Sequence, residues 1–298
     1  MRLPTFTKTF LSRTQVITAD DYGMCDVVNK AIDDCMSAGL VTTTNVIVNM
    51  DDLAPAANLR KRFPNVSIGM HWNITAGKPI SPIHEISSLV DENGNFYKVL
   101  DFFYRYKKGL IKKEHIKKEL KAQYKLFYDL CGKADYWNTH QNSGLSIHTF
   151  SIFNEVALEL GIDKTRSFQR TYIKGGTYPS TIKGKFIELA KRVFFDLWFG
   201  YIIPKTGTKL PDGRMIYFDD TEKSKDIRNI AENVLWKKKN IVEMVVHPAI
   251  VANYKYFGTL TDVRLAEWKM FSDPDTLKYL NERNIKVANF DILDDNEN

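Results

Sequence analysis

Short β-branched runs alternate with amphipathic stretches along most of the chain. Residues 15–18 and 41–49 predict two strands, because β-branched side chains favour extended structure. Between these strands, apolar positions recur at helical spacing from Asp26 until Gly39, and a glycine commonly follows the end of a helix. Strands that alternate with helices are usually parallel and joined by crossover helices, so the pattern predicts an α/β fold.

The alternation continues to the end of the chain. Further strands are predicted over residues 67–74, 136–140, 241–248 and 286–290. Further helices are predicted over residues 53–63, 112–130, 151–160, from 182 into an aromatic run, 223–236 and 273–282. Turn residues dominate residues 75–109, which we expect to form a long irregular insertion. Without a repeat or linker, the pattern predicts a single domain over residues 15–298 after an extension of residues 1–14.

The composition is that of a folded globular protein and does not favour nucleic acid as a partner. Hydrophobic residues make up 44% and charged residues 26% of the 298 residues, which is close to the globular average. Only 16 glycines and 10 prolines are present, so the collagen-like and disordered classes are excluded. The formal charge of +6 is spread along the chain, and we therefore expect no nucleic-acid binding surface.

The cysteine pattern and the N-terminal segment favour a cytoplasmic location. The three cysteines are widely spaced and form no C-x-x-C pair, which is typical of a reducing compartment. Residues 1–15 lack the continuous apolar region of a secretory signal. Residues 193–203 form the longest apolar run, but Asp196 and Gly200 interrupt it and it is too short to span a bilayer. We therefore expect no stable membrane insertion.

Candidate catalytic residues follow the predicted strands at their carboxyl ends, where ligands bind in parallel α/β folds. They are Asp20, Asp21, His71, His140 and His247. The carboxylates of Asp20 and Asp21 have no basic residue nearby in sequence, and adjacent charges repel unless a cation or a shared proton relieves them. A divalent metal would do so, although one aspartate could instead cap the following helix.

Two histidines each share a strand face with an amide side chain, namely His71 with Asn73 and His140 with Asn138. A lone histidine at a strand end is more often a hydrogen-bonded structural residue, but several such residues at one edge support one another. Two imidazoles and one carboxylate leave coordination positions open, as in a catalytic metal site. Nitrogen ligands favour zinc or another late divalent ion over magnesium.

Four motifs occur in the order of a known family. They are Ala19-Asp-Asp-Tyr-Gly23, Ile68-Gly-Met-His-Trp-Asn-Ile-Thr75, Asn138-Thr-His-Gln141 and Glu243-Met-Val-Val-His-Pro248, the last followed by Arg264. Through them the chain resembles the YdjC-like carbohydrate deacetylases, which include the chitooligosaccharide deacetylase ChbG and the hopanoid-type deacetylases. The resemblance extends over residues 15–290 and is specific as a set, whereas the first motif alone discriminates only modestly.

The resemblance implies a barrel-like α/β fold with parallel strands, distantly similar to the NodB-type polysaccharide deacetylases, and one divalent metal ion, zinc or magnesium, as cofactor. Asp21, His71 and His140 resemble the metal ligands of the family. Asp20 matches the aspartate that acts as general base towards the attacking water. His247 matches the histidine that protonates the leaving amine.

The chain departs from the family where many members carry D-x-H-x-H. Asn138 and Asn142 stand in place of the aspartate and the second histidine, so we take His140 as the ligand. We expect Asn73, Asn138, Asn142 and Arg264 to contact the sugar, and for the two replaced positions the alternative is to orient the metal ligands.

Three further residues receive weaker interpretations. Arg166 and Arg170 are candidates for contacts with sugar hydroxyls or carboxylates. Glu243 shares a strand face with His247, but four residues of strand separate them by about 13 Å, so no catalytic role is assigned to it.

The aromatic run at residues 194–201 permits stacking on sugars, a subunit interface or contact with a membrane surface. Helical spacing places Phe194, Leu197, Trp198 and Tyr201 on one stripe, which favours burial. We expect partial burial, with some surface left for a partner in a homodimer.

Together these features predict a metal-dependent hydrolase that removes acetyl groups from N-acetylated amino sugars in an oligosaccharide or glycoconjugate. One alternative is an O-acetyl esterase with the same centre, because both reactions pass through a tetrahedral intermediate. Another is a non-catalytic glycan-binding relative, in which the replaced asparagines mark lost chemistry. The loops at residues 75–109 and 175–220 are expected to determine which acetylated sugar binds.

Overall fold

Parallel strands form the central sheet of the structure, a computed structural model that describes residues 13–144, 146, 148–171, 181–215, 240–251 and 261–294. In order along the chain, the strands of these described residues are β1 (Arg13–Tyr22), β2 (Thr43–Val46), β3 (Ser67–Trp72), β4 (Trp137–Thr139), β5 (Arg170–Thr171), β6 (Gly213–Met215), β7 (Ile241–Val246) and β8 (Ile285–Ala288). Their order in the sheet is β4-β3-β2-β1-β7-β6-β5, and β8 pairs with the first half of β1. The longest strand, β1, therefore lies at the centre.

The sheet curves into a barrel-like shape because further parallel bridges connect its two edges. Trp137 in β4 pairs with Thr165, and Lys164 pairs with Lys209. The backbone N–H of Trp137 also donates to the carbonyl of Lys164 at 3.0 Å. The segment that precedes β5 therefore lies beside β4, and the carboxyl ends of the strands gather at one rim.

The helices pack around this sheet. In the described part of the chain they are α1 (Asp26–Ser37), α2 (Leu59–Arg62), α3 (Val99–Lys107), α4 (Lys113–Cys131), α5 (Phe150–Glu159), α6 (Ile182–Leu197), α7 (Thr261–Phe271) and α8 (Pro274–Glu282). A π-helical turn at Trp198–Ile202 and a 3₁₀ turn at Ile203–Thr206 continue α6. None of the helices among the described residues has the length and apolar character needed to cross a membrane.

Apolar stripes predicted from the sequence fix the helices to the strands. In α4, the side chains of Ile116, Leu120 and Phe127 are fully buried, as the pattern predicts. The indole of Trp72, at the end of β3, donates to the carbonyl of Leu120 at 3.0 Å. Burial of each large apolar side chain contributes roughly 1.5–3 kcal/mol, so α4 holds the strand end that carries a candidate histidine.

Two buried polar residues of α4 fasten the insertion at residues 75–109 to the sheet. Glu119 accepts hydrogen bonds from the backbone N–H groups of Ile80 and Ser81, both at 2.9 Å. Gln123 accepts from the backbone N–H of Asn73 at 3.1 Å and donates to its carbonyl at 2.7 Å. Gln123 also donates to Glu119 at 2.8 Å. One helix therefore holds both the insertion and the chain that leaves β3.

The predicted parallel α/β fold with barrel-like curvature is confirmed, whereas several local predictions are wrong. The insertion at residues 75–109 contains α3, which buries Phe102. Residues 53–63 form a 3₁₀ turn and the short α2 instead of one helix, with Pro55 in the first turn. Helix α7 was not predicted, because its buried residues include charged Arg264 and Glu267 and its buried side therefore lacks an apolar pattern. The helix predicted over residues 223–236 lies outside the described residues.

The aromatic run is partly buried, as expected, and Trp198 of the predicted stripe packs half-buried against the core. Phe194, Leu197 and Tyr201 are 41%, 59% and 62% exposed, while Phe199 is buried. The run is divided in this way because α6 and the π-helical turn after it contact the core through Phe195, Trp198 and Phe199.

Candidate metal centre

The end of β1 brings two adjacent aspartates to one site through an irregular backbone. The pairing of β1 with β2 shifts register between Ala19 and Tyr22. Asp21 adopts a left-handed conformation with a φ of 76°, which aspartate tolerates better than most residues. Adjacent residues of a regular strand point to opposite sides of the sheet. The irregularity is therefore what allows both Asp20 and Asp21 to reach the same set of partners.

Asp21, His71 and His140 form a compact cluster. Oδ1 of Asp21 lies 3.3 Å from Nε2 of His71 and 3.0 Å from Nδ1 of His140. Each residue offers one possible ligand atom within 4.8 Å of the other two. His71 lies near the end of β3 and His140 directly follows β4, the neighbouring parallel strand. The structure thus brings together the three residues expected to bind metal.

Asp20 lies beside this cluster and is saturated with hydrogen bonds. Arg166 donates to both oxygens of Asp20, from Nη1 to Oδ2 at 2.9 Å and from Nη2 to Oδ1 at 2.8 Å. Asn45 and Asn138 donate to Oδ1 at 2.7 and 3.2 Å. The Nε of Arg166 donates to Glu243 at 2.9 Å. Arg166 is thus buried between two carboxylates, and the expectation that it is open to a sugar is wrong.

Burial and charge shift the pKa values of these groups in opposite directions. Burial would raise the pKa of Asp20, but the Arg166 guanidinium outweighs it and holds that pKa well below its ordinary value. Burial likewise opposes ionisation of Asp21, while His140, His71 and Arg264 hold its pKa well below the ordinary value. For His71, burial lowers the pKa, and the carboxylates of Asp21 and Asp20 raise it above the ordinary value. Both aspartates are therefore ionised at neutral pH.

His247 reaches Asp20 from the other flank of β1. Its Nε2 lies 3.7 Å from Oδ2 of Asp20, and its side chain is 33% exposed. The backbone N–H of His247 donates to Glu267 at 2.7 Å, which fixes the chain at the point where β7 ends. A carboxylate at this distance favours the protonated imidazole. His247 is the most exposed of the five candidate catalytic residues.

Arg264 occupies the second oxygen of Asp21. Its Nη2 donates to Oδ2 at 2.9 Å, and its side chain is 8% exposed. The two adjacent aspartates are therefore each compensated by an arginine distant in sequence, so their repulsion alone does not require a metal, contrary to the sequence argument. Three carboxylates, those of Asp20, Asp21 and Glu243, nevertheless surround two guanidinium groups. The remaining negative charge can be balanced by a protonated histidine or by a metal ion.

The asparagines and Arg264, which were expected to contact sugar, occupy different environments. Asn138 is fully buried; its oxygen bonds Nδ1 of His71 and its Nδ2 donates to Asp20. Asn73 is also fully buried, and its oxygen accepts from the backbone N–H groups of residues 75 and 76, both at 3.1 Å. The side chain of Arg264 is likewise buried, and contact of these residues with a sugar stays a prediction. Asn142 is exposed and accepts from Arg214 at 3.4 Å.

A groove runs along the insertion at residues 75–109. Its volume is about 1320 Å³. Residues of the insertion form most of its lining, and Gln141, which directly follows His140, completes it. The guanidinium of Arg105 stacks 3.9 Å from the ring centroid of Tyr97 within this lining. The residues that line the groove thus include segments that directly follow β3 and β4, the strands whose ends carry His71 and His140.

The chemistry of the cluster fits a divalent metal ion. Nε2 of His71 is buried and has no hydrogen-bond partner among the described residues, although Asp21 lies 3.3 Å away. Buried polar nitrogens are rarely left unbonded, and a metal ligand is one explanation for such an atom. Asn138 holds the opposite nitrogen of that imidazole, as hydrogen-bonded groups commonly do behind metal-bound histidines. One carboxylate and two imidazoles suit zinc and other late divalent ions best.

Sequence reasoning missed two residues of the site. The hydrogen bonds that Asn45 and Arg166 donate to Asp20 were not predicted from the sequence. A polar Asn45 within the β-branched run of β2 was a usable signal, because a buried amide needs a partner. Arg166 lacked such a signal, because the sequence does not reveal that the segment before β5 brings this side chain to Asp20. The side chain of Arg170 is outside the described part of the structure.

A curved parallel sheet with a carboxylate and two imidazoles at its carboxyl rim defines an α/β protein with a candidate metal site. Comparison with known proteins gives the family. Residues 15–282 match the family described as YdjC-like protein. The chain therefore belongs to the YdjC-like family, as the motifs indicate.

Individual relatives support this assignment. A carbohydrate deacetylase of Xenopus laevis is 31% identical over 201 residues, which cover 66% of this chain and 64% of that protein. A carbohydrate deacetylase of Thermoanaerobacter pseudethanolicus is 23% identical over 283 residues, covering 93% of this chain and 98% of the relative. The crystal structure of an Enterococcus faecalis protein, proposed to cleave cellobiose phosphate, aligns with a TM-score of 0.71 at 20% identity over 95% of this chain and 99% of that one. The last comparison shows a shared fold.

Proposed function

We propose that this protein is a metal-dependent carbohydrate deacetylase that hydrolyses the N-acetyl group of an amino sugar in an oligosaccharide or glycoconjugate. The cluster of Asp21, His71 and His140, with Asp20 and His247 beside it, carries the proposal. The deacetylase relatives from Xenopus laevis and Thermoanaerobacter pseudethanolicus support the reaction type.

Asp21, His71 and His140 would hold the metal ion, for which we propose zinc or magnesium. Once bound there, a divalent ion supplies positive charge that polarises the acetyl carbonyl and makes water easier to deprotonate. Asn138 and Arg264 would orient the ligands, because each bonds the side of His71 or Asp21 that faces away from the cluster.

Asp20 and His247 carry the proton transfers of the proposed reaction. Water adds to the acetyl carbon as its proton passes to Asp20, whose low pKa keeps it ionised beforehand. The C–N bond then breaks as His247 gives a proton to the leaving nitrogen, which releases acetate and the free amine. Once His247 has given up its proton, its Nε2, 3.7 Å from Oδ2 of Asp20, can take the proton that Asp20 received from water, which returns both groups to their starting states. Base and acid each contribute about 100- to 10,000-fold.

The groove along residues 75–109 is the proposed place for sugar units next to the acetylated one. Tyr97 supplies an aromatic surface held by Arg105, and exposed Asn142 supplies an amide beside the metal cluster. Sugars bind well to such combinations of ring faces and hydrogen-bonding groups. Chain length beyond the reacting sugar should therefore affect binding.

The proposed setting is the cytoplasm. Cys25, Cys35 and Cys131 are buried free thiols, which supports a reducing compartment. The homodimer expected from the aromatic run stays a prediction.

The decisive experiment measures acetate release from N-acetylated and O-acetylated oligosaccharides. Metal-stripped protein is tested alone and after addition of zinc, magnesium or manganese. We expect metal-dependent release of acetate from the N-acetyl substrates. Asp20→Asn should abolish this release, whereas the exposed control Asp26→Asn should keep it. Release from the O-acetyl esters alone would establish the esterase instead, and glycan binding without any acetate would establish the non-catalytic relative.

A further inference from the structure

Helix α6 exposes its apolar side to solvent. Within its sixteen residues, Glu188 is the one buried residue. The spacing of Ile182, Phe186, Leu189, Val193 and Leu197 places them on a single face. Their exposed fractions are 87%, 72%, 57%, 52% and 59%. In α4, by contrast, the apolar stripe is buried against the sheet. An apolar helical face of this length is expected to have a partner.

The opposite side of α6 and the π-helical turn that follows it are packed against aromatic residues of the core. The ring of Phe195 lies 5.9 Å from that of Phe168, and the ring of Phe199 lies 5.4 Å from that of Phe150. Phe150 begins α5, the helix that follows the turn carrying His140. The exposed face is therefore carried by a helix attached beside that turn.

Basic residues border the exposed face on both sides. At 100° per residue, Lys183 lies along one edge of the face, and Lys185 and Arg192 lie along the other. Residues 182–206 contain five lysines and arginines against two acidic residues. Lysine and arginine can extend their charged ends into a lipid headgroup layer while their stems cover apolar surface.

We propose that α6 lies in the surface of an anionic lipid bilayer, with its apolar face among the acyl chains and its lysines at the phosphate groups. A basic amphipathic helix with phenylalanine and leucine on its apolar face has the character of helices that bind there. Charge favours this occupant over a second copy of the chain, because pairing two α6 helices would bring two sets of basic borders together. Lipid phosphates instead neutralise them.

This placement also assigns a substrate class to the metal centre. Sugars that are attached to lipids have their headgroups at the surface where α6 would bind. An acetylated amino sugar of an amphiphilic glycoconjugate is the substrate that such a location favours. This second step rests on the deacetylase function proposed above, whereas bilayer binding by α6 does not.

The test uses flotation of the full-length protein with vesicles of phosphatidylcholine alone or mixed with phosphatidylglycerol. We expect binding to the mixed vesicles, weakened about tenfold or more by Phe186→Ser combined with Leu189→Ser. Lys183→Gln combined with Lys185→Gln should weaken binding to the mixed vesicles about tenfold and leave the neutral vesicles unaffected. The matched control is Leu110→Ser combined with Tyr128→Ser, two side chains that are each 55% exposed outside α6.

Two results would overturn the bilayer proposal. One is absence of binding to mixed vesicles, or binding that the α6 substitutions leave unchanged. The other is a dimer by light scattering that Phe186→Ser combined with Leu189→Ser converts to monomer, since a second copy would then cover the face. Acetate release from a soluble N-acetylated oligosaccharide is measured in parallel for every variant. Wild-type protein that releases acetate without binding vesicles would refute this inference alone, whereas protein that binds vesicles without releasing acetate would refute the proposed function alone.

Discussion

Nη2 of Arg264 lies 2.9 Å from Oδ2 of Asp21, while Oδ1 of the same carboxylate faces His71 and His140. This contact compensates a buried negative charge and fixes which oxygen points to the imidazoles. The carboxylate keeps one oxygen for the cluster because the other is already bonded.

Removal of this arginine should destabilise the metal-free protein strongly. Breaking a buried ion pair costs about 3–5 kcal/mol, so Arg264→Met should lower the free energy of unfolding by roughly that amount. Urea unfolding of chelator-treated protein measures the change. Arg62→Met is the control, because Arg62 pairs with Asp33 at a site where its side chain is 36% exposed and such pairs contribute about 1 kcal/mol or less. Equal losses in the two variants would contradict the assigned role.

Asn138 should control metal affinity without contacting the ion. Because its oxygen bonds Nδ1 of His71, Asn138→Ala should weaken zinc binding by about 10- to 100-fold. Competition with a chromophoric chelator measures the dissociation constant. Asn142→Ala is the matched control, since its exposed side chain lies outside the cluster and its loss should leave zinc affinity unchanged. Wild-type affinity in Asn138→Ala would rule out the orienting role.

His140 should be required for metal binding. It supplies one of the three possible ligand atoms, so His140→Ala should reduce zinc content to background in the purified protein. The exposed His148, which is not part of the cluster, provides the control substitution His148→Ala. Full zinc content in His140→Ala, measured by atomic emission, would show that other groups bind the ion.

Asp20 should make stability depend on pH in the acid range. Its folded-state pKa lies below the ordinary value of 3.8, so the unfolded chain binds the proton more tightly. The resulting stabilisation is complete above roughly pH 5 and is lost as the pH falls towards the folded-state pKa. In Asp20→Asn the free energy of unfolding should therefore decline less steeply between about pH 5 and 3 than in wild type. Exposed Asp26→Asn should follow wild type, and parallel curves for all three proteins would refute the prediction.

The groove should distinguish long substrates from short ones. Arg105→Ala releases the ring of Tyr97, and loss of this cation–π contact should raise KM for a longer oligosaccharide about three- to tenfold. Kinetics on the shortest accepted substrate should stay at wild-type values. Lys107→Ala, on the same helix but outside the groove lining, is the control. An equal rise in KM for short and long substrates would place the sugar chain elsewhere.

The sequence predicts which residues lie at the carboxyl ends of the strands better than it predicts which side chains contact one another there. Parallel strands bring their carboxyl ends to one rim, and for that reason Asp21, His71 and His140 could be grouped although 119 residues separate the first from the last. The left-handed backbone of Asp21 could not be foreseen, because a regular strand would point Asp20 and Asp21 to opposite sides. The motif alone therefore does not explain how both aspartates reach the site.

The sequence did not predict the ion pairs that join residues far apart in the chain. Arg166 and Arg264 compensate the two aspartates across 146 and 243 residues, and sequence proximity carries no sign of either pair. The buried stripe of α4 was predictable because its apolar spacing matched the sheet, whereas the similar spacing in α6 marks a face exposed to solvent. Periodicity reveals that a face is apolar but does not reveal what covers it.

Because Glu119 and Gln123 hold the insertion, substitutions in the groove wall and substitutions in the Asp21, His71 and His140 cluster should have different effects. These side chains hold residues 73, 80 and 81 by their backbone atoms, so the sequence of the groove wall is free to vary without loosening its support. Asp21, His71 and His140 bind one another through side chains and tolerate no such drift. Under the proposed function, substrate range could therefore diversify among descendants of this chain while Asp21, His71 and His140 are kept.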